Sequence, residues 1–445
     1  MIDKNDHLYN TIYGLEEKFP EYSVRLWLKS KKRIYISILP LIFMIAVILY
    51  PKELFLVFFY LINSLYLIAQ GFKVIVLIIG YVENKKLKKE LSLPDALPIY
   101  TILLPIYKEG KILPKLIKSI ENLDYPKNLL DVKLLIEEDD YETLTALNNI
   151  SIPKFFEVIK IPISNPRTKP KACNYGLQFA LGEYVVVYDA EDEPSTNQLK
   201  QVLAKFNQAD DKLICVQARL NYYNRDENYL SQMFSIEYSL LFDYIMLGLK
   251  KLNMPIALGA TSNHFITKKL QNLGGWDAFN VTEDADLGIR LCHLGYKTDL
   301  INNVTLEEAT ITIKAWTIQR SRWIKGHILT SLVHLKQSHK LKFIDVAGII
   351  LSLYLPNLIY ILLPLYLLLS WFISDVIDVA LFWQINLLLG LALPIISSMF
   401  IIYQKKWYNI RLASLLSVFY YLLIPIAGIR YASGKAALTF KIIPE

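Results

Sequence analysis

The sequence predicts an α/β fold: a mainly parallel mixed sheet inserted between transmembrane helices, about two before it and about three after. Three observations lead there. Strand-like and helix-like segments alternate from Glu83 to about Leu341, two long apolar blocks flank that stretch, and basic residues gather beside the blocks.

The blocks come first. Hydrophobic residues make up 53% of the 445 and charged residues 20%, a shift from ordinary globular composition that two stretches produce, Ile34 to Tyr81 and Phe343 to Tyr431. A bilayer core takes about 20 apolar residues per helix, so Ile34–Tyr50 and Leu54–Tyr81 read as a helical hairpin with Pro51, Lys52 and Glu53 as its outer turn. Lys29, Lys31, Lys32 and Arg33 precede it, and Lys85, Lys86, Lys88 and Lys89 follow. By the positive-inside rule both ends face the cytoplasm. In the second block Asp375 and Asp378 separate two apolar runs, and Lys405, Lys406 and Arg411 close the second. Leu412 to Ala427 either crosses the membrane or lies along its cytoplasmic face. The expected units are thus 1–33, a cytoplasmic segment; 34–81, the hairpin; 82–341, a cytoplasmic domain with interfacial helices; 342–431, the second membrane region; and 432–445, a tail.

The net charge of +7, from 48 Lys plus Arg against 41 Asp plus Glu, is mild and lies largely beside the blocks. It does not form the basic stripe that nucleic acid requires. Cys173, Cys215 and Cys292 have neither disulfide nor zinc spacing and read as buried thiols in a reducing compartment.

Within the central stretch, Thr101–Tyr107, Val132–Glu138, Phe156–Pro162 and Tyr184–Tyr188 read as strands, with helical patterns at Lys111–Asn122, Glu142–Asn149 and Lys171–Ala180. Strands alternating with helices make βαβ units, which bind ligands at the carboxyl ends of the strands. The acids stand there. The second strand stops in Glu137, Glu138, Asp139 and Asp140, the fourth in Asp189, Ala190, Glu191, Asp192, Glu193 and Pro194. Clustered carboxylates repel unless solvated, hydrogen-bonded or joined by a cation. A hard divalent ion held by one or two of them plus substrate phosphates is the economical solution. Between the clusters, Arg167, Lys169 and Lys171 at a helix start suit a diphosphate, although such basic turns are commonly just exposed.

Further on, Gly274 to Asp277 forms a turn, and Thr282 stands as N-cap of a helix whose first turn holds Glu283 and Asp284. Acids there also simply complement the helix dipole. Gln319, Arg322 and Trp323, at i, i+3 and i+4, share a helix face just before the second block, where an interfacial aromatic belt is the plainer account.

Taken together, the acid cluster, the D-x-D-like Asp189-Ala190-Glu191, the Thr282-Glu283-Asp284 triplet and the Q-x-x-R-W of Gln319 to Trp323 resemble the family 2 glycosyltransferases that include bacterial cellulose synthases. The resemblance covers roughly Ile99 to Gly326 and implies a Rossmann-like GT-A domain in a multi-pass protein of the bacterial inner membrane, with its catalytic side in the cytoplasm. It implies that Glu137 and Glu138, with Lys169, Lys171 and Asp189, bind a nucleotide sugar such as a UDP-sugar. Asp189 and Glu191 would hold Mg²⁺ or Mn²⁺, and Asp284 would be the catalytic base. Glu283, Gln319, Arg322 and Trp323 would bind acceptor and pyrophosphate. Glu stands where the family has the second Asp of D-x-D, and Glu-Glu where it has its first Asp pair, which points to a cellulose-synthase-like subgroup. The expected activity is inverting transfer of a hexosyl unit to a growing extracellular or cell-surface polysaccharide. The alternatives are transfer of one sugar to a lipid and, from another class, a non-catalytic transporter or receptor.

Overall fold

The computed structural model describes residues 4–30, 51–87, 93–94, 96–337, 341–359 and 377–432. The segment expected to open the membrane hairpin, 34–50, lies outside them, as does 360–376.

One 8-stranded sheet organises the central domain, in the order β3-β2-β1-β4-β7-β6-β8-β5. Its first half is the predicted parallel ladder: β1 (Tyr100–Ile106), β2 (Leu130–Glu137), β3 (Phe156–Ile161) and β4 (Tyr184–Val187). The apolar runs alternate across it as a pleat requires. Ile102, Leu104 and Ile106 pack one face with the helix Leu113–Glu121, while Leu103, Leu135 and Ile159 pack the other beneath the helix Lys169–Leu177. The second half was not read from the sequence. The short β5 (Glu193–Pro194), β6 (Leu213–Tyr222), β7 (Asn263–Ile266) and β8 (Lys297–Glu307) complete the sheet. β7 runs antiparallel between β4 and β6, so the sheet is mixed.

Among the described residues, Phe59–Asn84 and Gln384–Lys405 are long and apolar enough to cross a membrane. A pair bent by 54°, Tyr408–Leu415 and Ser417–Arg430, makes a third if it is one span. Pro51, Lys52 and Glu53, expected in an outer turn, instead lie in the helix Pro51–Asn84. This helix docks closely on the central domain. A Cβ on Gly80 would lie 1.9 Å from the Tyr244 carbonyl oxygen, and one on Gly248 would lie 2.2 Å from that of Val76. Only glycine lets the two backbones approach so near.

The residues before the hairpin also pack on the domain. The Val24 N–H donates to Asp277 at 2.8 Å, and Asn174 donates to the Thr11 carbonyl at 3.1 Å. Cys173 and Cys215 are buried as expected; Cys292 is only partly so.

Candidate active site

The strand ends deliver the acids. After β2, Glu137 pairs with Lys171 at 2.7 Å, Asp139 pairs with Arg167 at 2.6 Å, and Glu138 is exposed. Asp140 is used locally: its carboxylate caps the helix Tyr141–Asn148 through the Thr143 N–H at 3.1 Å and accepts the Lys108 N–H at 2.6 Å, pinning the loop after β1. Glu137, Arg167, Tyr107, Pro105, Ile161 and Ala172 line a cavity of about 150 Å³ at the ends of β1 and β2. Burial pushes the Glu137 carboxyl up and the Lys171 ammonium down, and the short contact between them opposes both shifts. The basic turn is therefore not a free trio of cations, since each of its side chains has a carboxylate partner.

The third of those partners is Asp189. Lys169 approaches it at 2.5 Å and donates to the Ala260 carbonyl at 2.7 Å. Burial works to lower the Lys169 pKa, but Asp189, Asp284 and Glu283 outweigh it and hold it well above its usual value. That one ammonium feels all three shows that acids from the β4 end and from the start of the helix Glu283–His293 converge. Burial, followed by the neighbouring Glu283, raises Asp284 well above the carboxylate range, and burial raises Glu283. Glu191 is pushed up to about 7 by burial and then by Asp189. Thr282 occupies the N-cap position but its hydroxyl makes no cap hydrogen bond. It turns instead toward Asn280 and lies against Gly326.

Three members of the cluster were not assigned from the sequence. Glu109, past β1, is pushed to about 8 by burial and by Glu191 and Asp189. Asp192 is buried, accepts the Asp189 N–H at 2.7 Å and the Thr261 hydroxyl, and leaves Oδ1 without a partner among the described residues. Glu307 ends β8; burial, then Asp192, Asp189 and Glu191, raises it well above its usual value. The rule that finds Glu137 and Asp189, an acid where a strand stops, also points to Glu109 past β1, and it would have found Glu307 had β8 been recognised.

The helix Ile313–Leu335 closes the site. Arg322 feels Glu283, Asp189 and Asp284, and its Nε is buried with no partner among the described residues, as is Gln319 Oε1. Trp323 departs from the expected shared face. Its ring packs toward Tyr238 and Phe234, with Arg320 at 4.7 Å from its centre, and it lines a second, larger cavity on the membrane side. The helix comes this close because of Gly326: a Cβ there would lie 2.3 Å from Thr282 Oγ1. Among the described residues, no three Asp, Glu, His or Cys side chains already form a metal-binding group.

Comparison with known proteins agrees with this architecture. Over 253 residues the chain is 29% identical to the probable glycosyltransferase YdaM of Bacillus subtilis (strain 168), covering 55% of this chain and 59% of that protein. It is 26% identical over 256 residues to a beta-monoglucosyldiacylglycerol synthase of Nostoc sp. (strain PCC 7120 / SAG 25.82 / UTEX 2576), covering 56% of this chain and 53% of that protein. The chain thus spans little more than half the length of these relatives. In fold it is similar to the mannosyltransferase PcManGT from Pyrobaculum calidifontis, solved with GDP-Man and Mn²⁺, at a TM-score of 0.53 and 16% identity over 84% of this chain and 99% of that one. The family model described as glycosyl transferase family group 2 matches residues 184–429, more than half of the chain and the whole stretch from β4 to the bent helix pair. This chain, with its GT-A fold, belongs to glycosyl transferase family group 2.

Proposed function

We propose that the protein is a membrane-bound inverting transferase that moves a hexosyl unit from a UDP-sugar to an acceptor hydroxyl on the cytoplasmic side of a bacterial inner membrane. One observation carries the reading. Acids from four separate stretches of chain (Glu109; Asp189, Glu191 and Asp192; Glu283 and Asp284; Glu307) meet around Lys169 with Arg322 facing them. Such an excess of buried carboxylates is costly unless a ligand supplies positive charge or hydrogen bonds.

Glu137 and the cavity beside Arg167 would take the nucleoside, with Glu138 at its open edge. Lys169 and Lys171 would shift from their carboxylate partners toward the diphosphate. Asp189 and Glu191 would hold Mg²⁺ or Mn²⁺, a choice supported by their hard oxygen donors and by the unpartnered Asp192 Oδ1 beside them. The ion, when bound, neutralises charge on the departing diphosphate. Asp284, next to Arg322, would accept the proton of the attacking hydroxyl. Glu283, Gln319, Arg322 and Trp323 would place the acceptor.

Two acceptors fit. A relative named for a glucosyl lipid favours a lipid acceptor, while apolar helices on both sides of the catalytic domain suit export of a growing polysaccharide. The test is turnover of a panel of UDP-sugars by purified protein, with product length read from a labelled donor. A single added sugar excludes the polymer. Asp284→Asn should lower transfer by about 10²–10⁴-fold with donor binding intact; near-normal turnover in that variant removes Asp284 from its role.

A further inference from the structure

We propose that the cavity on the membrane side of Trp323 binds the hydrocarbon body of an amphiphile whose head group is anionic, with the Lys73 ammonium facing the negative charge. As an acceptor site this rests on the lipid reading above. As a binding site it stands on the observations that follow.

The cavity measures about 590 Å³, and its walls come from the membrane helix Pro51–Asn84, the helix Ile313–Leu335 and the helix Ile377–Lys405. That volume lies within the roughly 300–1,000 Å³ of small-molecule sites. Leu65, Phe72, Leu241, Leu353, Leu391 and Val418 represent a wall that is mostly apolar. Asn63, Gln70, Asn357 and Asn386 interrupt that surface, but apolar side chains make up most of it, which suits an acyl or prenyl chain.

Charge on that wall is sparse and uneven. Glu237 is fully engaged: both its oxygens accept from Arg320, one of them at 2.8 Å, and the Tyr420 hydroxyl donates to it at 2.6 Å. Lys73 is different. It sits near the middle of the apolar stretch Phe59–Asn84, and among the described residues no carboxylate lies within ion-pair distance of its ammonium. The Tyr421 ring is 5.7 Å away. Glu237, already paired with Arg320, acts on Lys73 only from a distance, which leaves the ammonium without a carboxylate in contact among the described residues. A lysine at this depth is expensive and ordinarily marks a site with an anionic partner. Trp323 joins the two chambers. It lines the cavity, and its chain neighbour Arg322 faces Glu283 and Asp284, so a head group held near Trp323 lies at the acceptor end of the acids.

The test uses the full chain in phosphatidylcholine nanodiscs with two probes that differ only by a phosphate, dioleoyl phosphatidic acid and dioleoylglycerol. Binding is read by native mass spectrometry, and UDP-sugar hydrolysis is read in the same samples. Wild type should retain the phosphatidic acid on the order of tenfold better, the scale of one charge-assisted hydrogen bond. Lys73→Met should reduce that preference to within about twofold, Lys73→Arg should keep it, and Leu241→Trp, which fills the cavity, should lose both lipids. No preference in wild type, or an undiminished preference in Lys73→Met, overturns the proposal. If Lys73→Met does not fold, unchanged binding in Leu241→Trp overturns it equally. Donor hydrolysis with no lipid preference sinks the cavity alone, whereas absence of hydrolysis with any UDP-sugar sinks the catalytic reading and leaves lipid selectivity to be judged separately.

Discussion

Arg320 and Arg322 stand two residues apart on one helix, both largely buried, and their surroundings are opposite. Arg320 is ion-paired: its two Nη atoms donate to both oxygens of Glu237 and to the Tyr420 hydroxyl at 2.7 Å, its Nε has no partner among the described residues, and it lies over the rings of Phe234, Trp316 and Trp323. Arg322 feels Glu283, Asp189 and Asp284 but forms no ion pair with them among the described residues, and its Nε is likewise unpartnered. A buried cation paired with a carboxylate holds elements together. One without an ion pair, near acids of which only Asp189 has a cation in contact, is arranged for something that arrives later. Sequence spacing alone would not separate them, since both are arginines in an R-x-R beside a tryptophan.

The comparison breaks first on activity. Arg322→Met should lower transfer by about 10²–10³-fold, the usual cost of deleting one donor to developing charge, with little change in the thermal midpoint in detergent. If Arg322→Met unfolds the protein while activity per folded molecule persists, the contrast is wrong. Arg320→Met should do the reverse. It strands the Glu237 carboxylate, and truncating one member of a buried pair costs about 3–5 kcal/mol. Glu237 retains 24% side-chain exposure, which favours the lower end of that range. Adding Glu237→Leu should recover at least half of the loss, because the stranded charge is then gone. A double variant as unstable as the single would mean that packing, and not charge, sets the cost.

A smaller effect comes from the contact that fixes how far Arg322 stands from the acids. In Gly326→Ala the new methyl meets Thr282 Oγ1 at 2.3 Å and Cγ2 at 2.4 Å, so the helix must back away from the residue that precedes Glu283 and Asp284. Overpacking of this kind costs about 1–3 kcal/mol. Transfer should fall as well, since catalytic groups tolerate little displacement. Wild-type turnover in Gly326→Ala would show that the helix position is not limiting.

What was legible in the sequence follows the same division between local and distant partners. β2 and β4 are largely apolar runs that stop in acids, so pattern and chemistry coincide there within a few residues. β6 is fully inside yet carries Gln217 and Arg219, whose partners are distant in sequence: Gln217 holds the 259–262 loop, and Arg219 pairs with Asp243 at 3.0 Å. β8, Lys-Thr-Asp-Leu-Ile-Asn-Asn-Val-Thr-Leu-Glu, is polar along much of its length because it lies toward one edge of the sheet. β8 lacks the alternation that marks a strand, whereas β6 alternates from Val216 to Tyr222 but with polar side chains whose partners lie far along the chain. Hence Glu307 went unassigned, and so did Glu237, which lies 83 residues from the arginine it holds. The apolar run Leu54–Tyr81 was legible as a helix because its apolar character goes all round and needs no distant partner to be recognised. The packing of Gly80 on Tyr244 was not, because a glycine in an apolar helix looks alike whether it faces lipid or protein.

The mildest prediction concerns a carboxylate placed as the opposite of Glu237. Asp277, in the turn before the Glu283–His293 helix, accepts the Val24 N–H at 2.8 Å and the Phe279 N–H at 2.8 Å, yet no cation among the described residues is within ion-pair distance. Burial, followed by repulsion from Asp286, pushes it up to about 7, against the two N–H groups and Arg290 that pull it down. In the unfolded chain the same group titrates near the ordinary value of about 3.9. The folded state therefore binds a proton that the unfolded state has released between those values. This group's contribution to stability is full below about pH 4 and is lost as pH rises through about 7. Asp277→Asn cannot ionise, so the variant's thermal midpoint should be flatter than the wild type's between pH 5 and 8, even though the amide accepts only one of the two N–H groups and lowers the curve as a whole. Parallel curves for the two proteins would mean that Asp277 is already charged in the fold, in which case Arg290 neutralises it from a distance and belongs with Arg320 among the cations that hold the structure.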